Sequence, residues 1–202
     1  MAARKKSARK QSSGRKARSG RSAAPRDALA LLKADHQLVQ QLFDKFEKTR
    51  AEERKSALAE QICNELAVHA QIEEEIFYPA AREAIRDTDL ISEATVEHQS
   101  AKDLIEQIQS GGSGDDLFEA KVTVLGEYVR HHVREEEREM FPQIRKARLD
   151  LKALGQQLMQ RKEELLSGAG GQGARGSGMA GSRAGSNRSR RESQSTRETA
   201  AE

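Results

Sequence analysis

The 202-residue sequence has no Trp, a single Cys and an aromatic content of only 3%. One cysteine excludes an internal disulfide and fits a reducing or neutral compartment, with Cys63 read as a small buried hydrophobe rather than a reactive thiol. No apolar run reaches the roughly 18 residues a membrane helix needs, so no membrane span is expected. The N-terminus lacks the apolar centre of a secretory signal. It is Arg- and Ser-rich and acid-free like a mitochondrial transit peptide, but Ala alone does not build that peptide's apolar face. The expected location is therefore cytoplasmic. There is no His-Glu-x-x-His of a zinc protease, no phosphate-cradling Gly loop and no Ser nucleophile elbow.

Charge is missing selectively. Residues 1–26 carry ten Lys or Arg and no acid, and residues 167–202 carry six Arg against three Glu. The span between them holds 19 basic and 29 acidic residues, so the net charge of +3 joins an acidic core to basic ends. Residues 1–24 and 167–202 contain no Leu, Ile, Val or aromatic residue. Such segments cannot bury enough apolar surface to offset ordering entropy, and both are expected to be disordered basic tails. Ten flexible positive charges in 1–26 suit non-specific contact with nucleic acid through counterion release, and equally suit a solubilising tail. With no aromatic among them, base stacking is not expected.

Between the tails the apolar pattern is helical. A first helix from about Pro25 to Arg50 shows Leu29, Leu32, His36, Val39, Phe43 and Phe46 at steps of three and four. A second, from near Glu53, shows Ala59, Ile62, Leu66, His69, Glu73 and Ile76. A third opens at the capping cluster Asp87-Thr88-Asp89 and carries Ile91, Ala94, His98, Ala101, Ile105 and Ile108. Gly111-Gly112-Ser113-Gly114 ends it, and a fourth from near Asp115 carries Phe118, Val122, Leu125, Val129, His132 and Glu136. Pro79 and Pro142 are expected to kink or end the second and fourth helices. The expected architecture is all-α: an antiparallel up-down four-helix bundle over 27–150, with a fifth helix over 151–166 as an extension.

Four His and two Glu occupy those seams in a two-fold repeat. His36 precedes His69 by 33 residues and His98 precedes His132 by 34, and His69 and His132 are each followed four residues later by a Glu. Asp35-His36-Gln37 is echoed by Glu97-His98-Gln99, and each Pro comes ten residues after its His. A buried carboxylate without a partner costs several kcal/mol, and no Lys or Arg shares the seams with Glu73 and Glu136. A metal ion offsets that cost, with neutral imidazoles completing its shell. Residues four apart lie about 5–6 Å apart on one helical face, so each His-x-x-x-Glu pair can reach one centre. Imidazole and carboxylate without thiolate favour iron or manganese, with zinc possible.

At these residues the chain resembles the hemerythrin-like, or HHE cation-binding, family. The matching elements are His36, His69 with Glu73, His98, and His132 with Glu136, and the run His131-His132-Val133-Arg134-Glu135-Glu136-Glu137 before Phe141-Pro142 is very similar to the family's second motif. The resemblance covers about residues 27–150. It implies a four-helix bundle around two non-haem irons joined by an oxo or hydroxo bridge, with the four His as terminal ligands and Glu73 and Glu136 as bridges. Oxygen-carrying members have a fifth His one turn after the third ligand; here that position is Lys102. His131 lies about 100° around the helix from His132 and is expected in solvent. The site is then expected either to have more open coordination or to take in a further carboxylate such as Glu97 or Glu135, and Tyr128 is a candidate hydrogen-bond partner of His132. The implied function is binding or sensing of oxygen, nitric oxide or iron, with a small diatomic ligand or peroxide at the metal. A peroxide- or oxygen-reducing enzyme and a nucleic-acid-associated protein are the alternatives.

Overall fold

The computed structural model describes residues 27–172, with side chains through Gly168; the expectations for 1–26 and 173–202 lie outside the described residues. The first helix, α1 (Ala28–Lys48), starts at Asp27, whose carboxylate accepts the Ala30 N–H at 2.8 Å. That cap satisfies one of the free N–H groups of the first turn and sets the helix start three residues after Pro25. Then come α2 (Glu52–Ile72), a π-helical turn (Glu73–Phe77), α3 (Tyr78–Ala84) and α4 (Asp89–Gly111). A 3-10 turn at Gly112–Gly114 leads to α5 (Phe118–Glu135), a second π turn (Glu136–Met140), α6 (Phe141–Lys146) and α7 (Leu151–Gln172). Gly112 sits at φ 59°, the left-handed conformation that glycine adopts freely at a helix end.

The described residues are all-helical, with α1 packed on α2 and α5, and α4 packed on α5 and α2. Connections of a few residues join α1 to α2 and α4 to α5, as antiparallel neighbours require. The four-helix bundle matches the sequence pattern, and nearly every seam residue is buried. The fifth helix docks on α1 and α2 through buried Leu154 and Leu158. It runs to Gln172, six residues into the segment expected to be a tail.

Of the two outcomes expected at the prolines, a kink or an end, the second does not occur. Neither ends its helix; each lies at the start of a further helical segment, just after a π turn. In these turns the Tyr78 N–H bonds to the Glu73 carbonyl and the Phe141 N–H to the Glu136 carbonyl. Pro brings no N–H and its ring crowds the carbonyl four residues back, and the wide turn absorbs both problems by one residue of re-registration. The shift also changes the core. Ile76, the expected seam residue, is half-buried, and Phe77 takes the fully buried place.

Two apolar clusters fill the interior. One joins Leu29, Leu32, Ile72, Phe77, Ile91, Met140 and Phe141 to α7; the other holds Val39, Phe43, Ile62, Leu66, Ile105, Phe118 and Leu125. Cys63 is buried in the second, where burial pushes its thiol up to about 11, which makes it a packing residue. Between the two clusters lies a polar layer.

Candidate metal centre

That layer consists of His36, His69, Glu73, His98, His132 and Glu136, all buried. His36 Nε2 and His69 Nε2 are 3.2 Å apart, as are His98 Nε2 and His132 Nε2. Glu73 lies between the pairs: its Oε2 is 3.2 Å from His69 Nε2 and 3.4 Å from His98 Nε2. Glu136 Oε2 is 3.2 Å from His36 Nε2. Donors held about 2.1 Å from one ion at roughly a right angle lie about 3 Å apart, so each imidazole pair has the spacing of two ligands on one cation. The two π turns start at Glu73 and Glu136, a placement that recurs at functional sites.

A second ring of carboxylates fixes the imidazoles. His36 Nδ1 donates to Glu137 at 2.9 Å, His98 Nδ1 to Glu74 at 3.1 Å and His132 Nδ1 to Glu97 at 2.9 Å. His69 Nδ1 faces Asp35 Oδ2 at 3.7 Å. The arrangement obeys the sequence repeat. The acid preceding each lone His serves the paired His of its own half, and the acid following each ligand Glu serves the lone His of the other half. With the hydrogen held on Nδ1, His98 and His132 each turn an Nε2 lone pair inward, whereas His69 Nδ1 has no hydrogen-bond partner. Facing lone pairs at 3.2 Å repel unless a proton or a metal ion lies between them.

Electrostatics show the same demand. Burial and the Glu136 charge push Glu73 up to about 7. Against the desolvation that burial imposes, Glu136 and Glu137 raise His36 to about 10. Burial holds His98 below its usual value. His36 holds Glu137 down to about 2, and hydrogen bonding to His132 lowers Glu97. Glu73 Oε1 and both Glu136 oxygens are buried without a hydrogen-bond donor. Buried carboxylate oxygens without a hydrogen-bond donor, beside inward imidazole nitrogens, fit a cation.

Two features escaped the sequence, a tyrosine beside the cluster and the lysines on its outer carboxylates. Tyr78, five residues after Glu73, donates to Glu73 Oε2 at 3.4 Å and lies 3.3 Å from His98 Nε2. Its repeat counterpart is Phe141, which stacks on His36. The clue was the Phe77-Tyr78 and Met140-Phe141 pairing before each Pro. Tyr128 is half exposed and makes no hydrogen bond to His132, whose Nδ1 is taken by Glu97. Lys102, read only as the place of an absent His, holds Glu74 at 2.6 Å. Lys33 and Lys162 hold Glu137 and Asp35 in the same way, at 2.8 and 2.7 Å. His131 is exposed as expected, and neither Glu97 nor Glu135 turns into the inner cluster.

Comparison with known proteins agrees with this architecture. The profile described as the hemerythrin HHE cation binding domain matches residues 27–144. A crystal structure of a hemerythrin HHE cation binding domain-containing protein from Mycobacterium kansasii is 25% identical with a TM-score of 0.64, covering 75% of this chain and 94% of that one. A curated protein named DNA nickase from Nostoc sp. is 31% identical over 115 residues, 57% of this chain. The chain spans only 32% of that relative's length. With its profile match covering more than half of the sequence and its bundle superposing on a solved member, the chain belongs to the hemerythrin HHE cation-binding domain family.

Proposed function

We propose that the chain is a non-haem di-iron protein that binds or senses oxygen, nitric oxide or iron. The observation that carries this reading is the position of Glu73, within 3.4 Å of one imidazole from each pair. One carboxylate between two imidazole pairs fits two ions better than one. His36 and His69 would hold the first ion, His98 and His132 the second, with Glu73 and Glu136 between them. Bound iron supplies reversible redox chemistry and an affinity for small diatomic ligands. The chain's own contribution is to orient His36, His98 and His132 through Glu137, Glu74 and Glu97, to set Asp35 beside His69, and to keep bulk water out.

A cavity of about 40 Å³ supports a small ligand. It is lined by all four imidazoles and by Val39, Leu66, Ala101, Ile105 and Val129, which leaves Ala101 and Val129 only half-buried. An apolar chamber of that size beside the donors favours an uncharged molecule of a few atoms over a metabolite. Tyr78 brings a hydroxyl to the donors, 3.4 Å from Glu73 Oε2 and 3.3 Å from His98 Nε2. It is the feature an oxygen- or peroxide-reducing enzyme would use, which keeps that reading as the alternative.

Metal analysis and an optical spectrum of the full chain test the proposal. The expected result is two irons per chain with ligand-to-iron charge-transfer absorption. One zinc, or no retained metal, would sink it. A nucleic-acid role rests on the ten Lys or Arg in 1–26 and on the name of the Nostoc relative, DNA nickase. Its mark is binding to duplex DNA that weakens steeply with salt. Equal weak binding after removal of residues 1–26 would overturn it.

A further inference from the structure

The outer carboxylates differ in what closes them. Lys33, Lys102 and Lys162 each set an ammonium on Glu137, Glu74 and Asp35. An ammonium there repels an incoming cation. Glu97 has no Lys partner among the described residues. It meets His131, whose Nε2 is 3.5 Å from Glu97 Oε1 and 3.2 Å from Glu135 Oε1. Three side chains of ligand type, from α4 and α5, thus place donor atoms within 4.8 Å of one another. His131 is 57% exposed, so the group opens to solvent.

The spacing has a source in the sequence. His131-x-x-x-Glu135 repeats, one residue earlier, the His132-x-x-x-Glu136 chelate. One residue is about 100° around a helix, so one pair faces solvent and the other faces the core. In the first half the corresponding residues are Val68 and Ile72, and the doubling is absent.

Residues of the outer group and of the buried cluster border the same small cavity. A cavity with room for about one water molecule is lined by Glu97, Glu135, His132, Glu136 and Met140. Glu97 spans both sides, with Oε1 toward His131 and Oε2 on His132 Nδ1 at 2.9 Å. At the inner end stands Glu136, 2% exposed and with neither oxygen receiving a hydrogen bond.

We propose that Glu97, His131 and Glu135 form an outer site for a divalent cation of the iron, manganese or zinc class, and that this site loads the buried centre past Glu136. The loading role rests on reading the buried cluster as a metal centre; the outer site itself does not. One imidazole and two carboxylates suit such an ion, and solvent exposure keeps it exchangeable. His131, Glu97 and Glu135 release the ion and Glu136 receives it, so that each protein–metal bond broken at the outer site is replaced by one to a carboxylate or imidazole of the buried cluster or to water. The ion keeps its charge and no electron moves.

The test uses the full chain, its His131→Ala variant and its Glu135→Gln variant. Zn²⁺ is titrated by calorimetry, and anaerobic uptake of Fe²⁺ by metal-free protein is timed by stopped flow. Both variants should lose one weak Zn²⁺ equivalent. They should take up limiting Fe²⁺ at least about tenfold more slowly, as loss of a local cation-concentrating site predicts. Final iron content and thermal midpoint should match the parent. Unchanged Zn²⁺ stoichiometry would overturn the outer site and leave His131 as an imidazolium paired with two carboxylates. Loss of the equivalent with an unchanged uptake rate would overturn the loading role. A chain that keeps no iron yet loses a Zn²⁺ equivalent in His131→Ala would overturn the loading role and the di-iron reading, and would support the outer site.

Discussion

Lys102 Nζ lies 2.6 Å from Glu74 Oε2, and that ion pair reaches the buried layer because Glu74 Oε1 accepts from His98 Nδ1 at 3.1 Å. The lysine therefore acts on the imidazole through the carboxylate. Removing it frees Glu74 to rotate, and His98 loses its fixed tautomer. Lys102→Ala should weaken metal affinity about 10- to 100-fold, the range for loss of a group that orients a ligand. Competition against a calibrated chelator reads the change. Parent-like affinity with parent-like stability would show that Glu74 needs no counter-charge.

Lys162 makes the same argument for α7, which lies beyond the 27–144 span of the family match. Its ammonium holds Asp35 at 2.7 Å, and burial of Asp35 is outweighed by His69 and Lys162, which keep its carboxyl low. Lys162→Met should leave α7 docked through Leu154 and Leu158 while weakening metal binding about tenfold. Loss of the helix without loss of affinity would reverse the assignment.

The fold was legible because seam residues such as Leu32, Phe43, Ile62 and Val122 repeat at helical spacing, and all of them are buried. The six inner residues were legible because polar side chains stood where only apolar ones belong. The outer ring was not. Asp35, Glu74, Glu97 and Glu137 sit one residue from a seam position, where a helix normally turns toward solvent, and charge there carries no signal by itself. The π turns were hidden as well. Pro79 and Pro142 marked a disturbance, but whether a helix breaks or widens depends on what the re-registered residue meets. Here Phe77 meets Phe141, with ring centroids 5.8 Å apart.

Gly155 on α7 gives a test of docking. A Cβ there would stand 2.7 Å from the Ala28 backbone N and 2.8 Å from the Asp27 carbonyl carbon. Gly to Ala inside a helix normally gains about 1 kcal/mol. Overpacking against backbone costs about 1–3 kcal/mol, and that cost should win. Gly155→Ala should therefore lower stability in a denaturant titration. Gly168→Ala, on the same helix with nothing within 4 Å, should not. A stabilised Gly155→Ala protein would mean that α7 does not pack closely on the start of α1.

Tyr78 breaks the two-fold symmetry of the site, since Phe141 holds the same place in the other half. Because Phe already fits there, Tyr78→Phe should change unfolding free energy by only about 1 kcal/mol, the net worth of one hydrogen bond. The metal-loaded protein should respond more. Glu73 and His98 lose their shared neighbour, so the absorption bands of the iron- or cobalt-loaded chain should shift. Superimposable spectra would remove Tyr78 from the site.

Metal removal should cost the fold as well as the site. Without an ion, Glu73 Oε1 and both Glu136 oxygens remain buried with no donor, and the His98–His132 pair keeps its lone pairs face to face. A ligand that binds only the folded chain, present at about a thousand times its dissociation constant, stabilises it by about 4 kcal/mol. For a domain of this size each kcal/mol is worth about 2–4 °C, so chelation should lower the unfolding midpoint by roughly 8–16 °C. Replacing Glu73 by Gln should cancel most of that difference, because the amide is neutral when the metal is gone and a poor bridge when it is present. Coincident midpoints for the loaded and stripped full chain would mean that the polar layer folds without help from a cation.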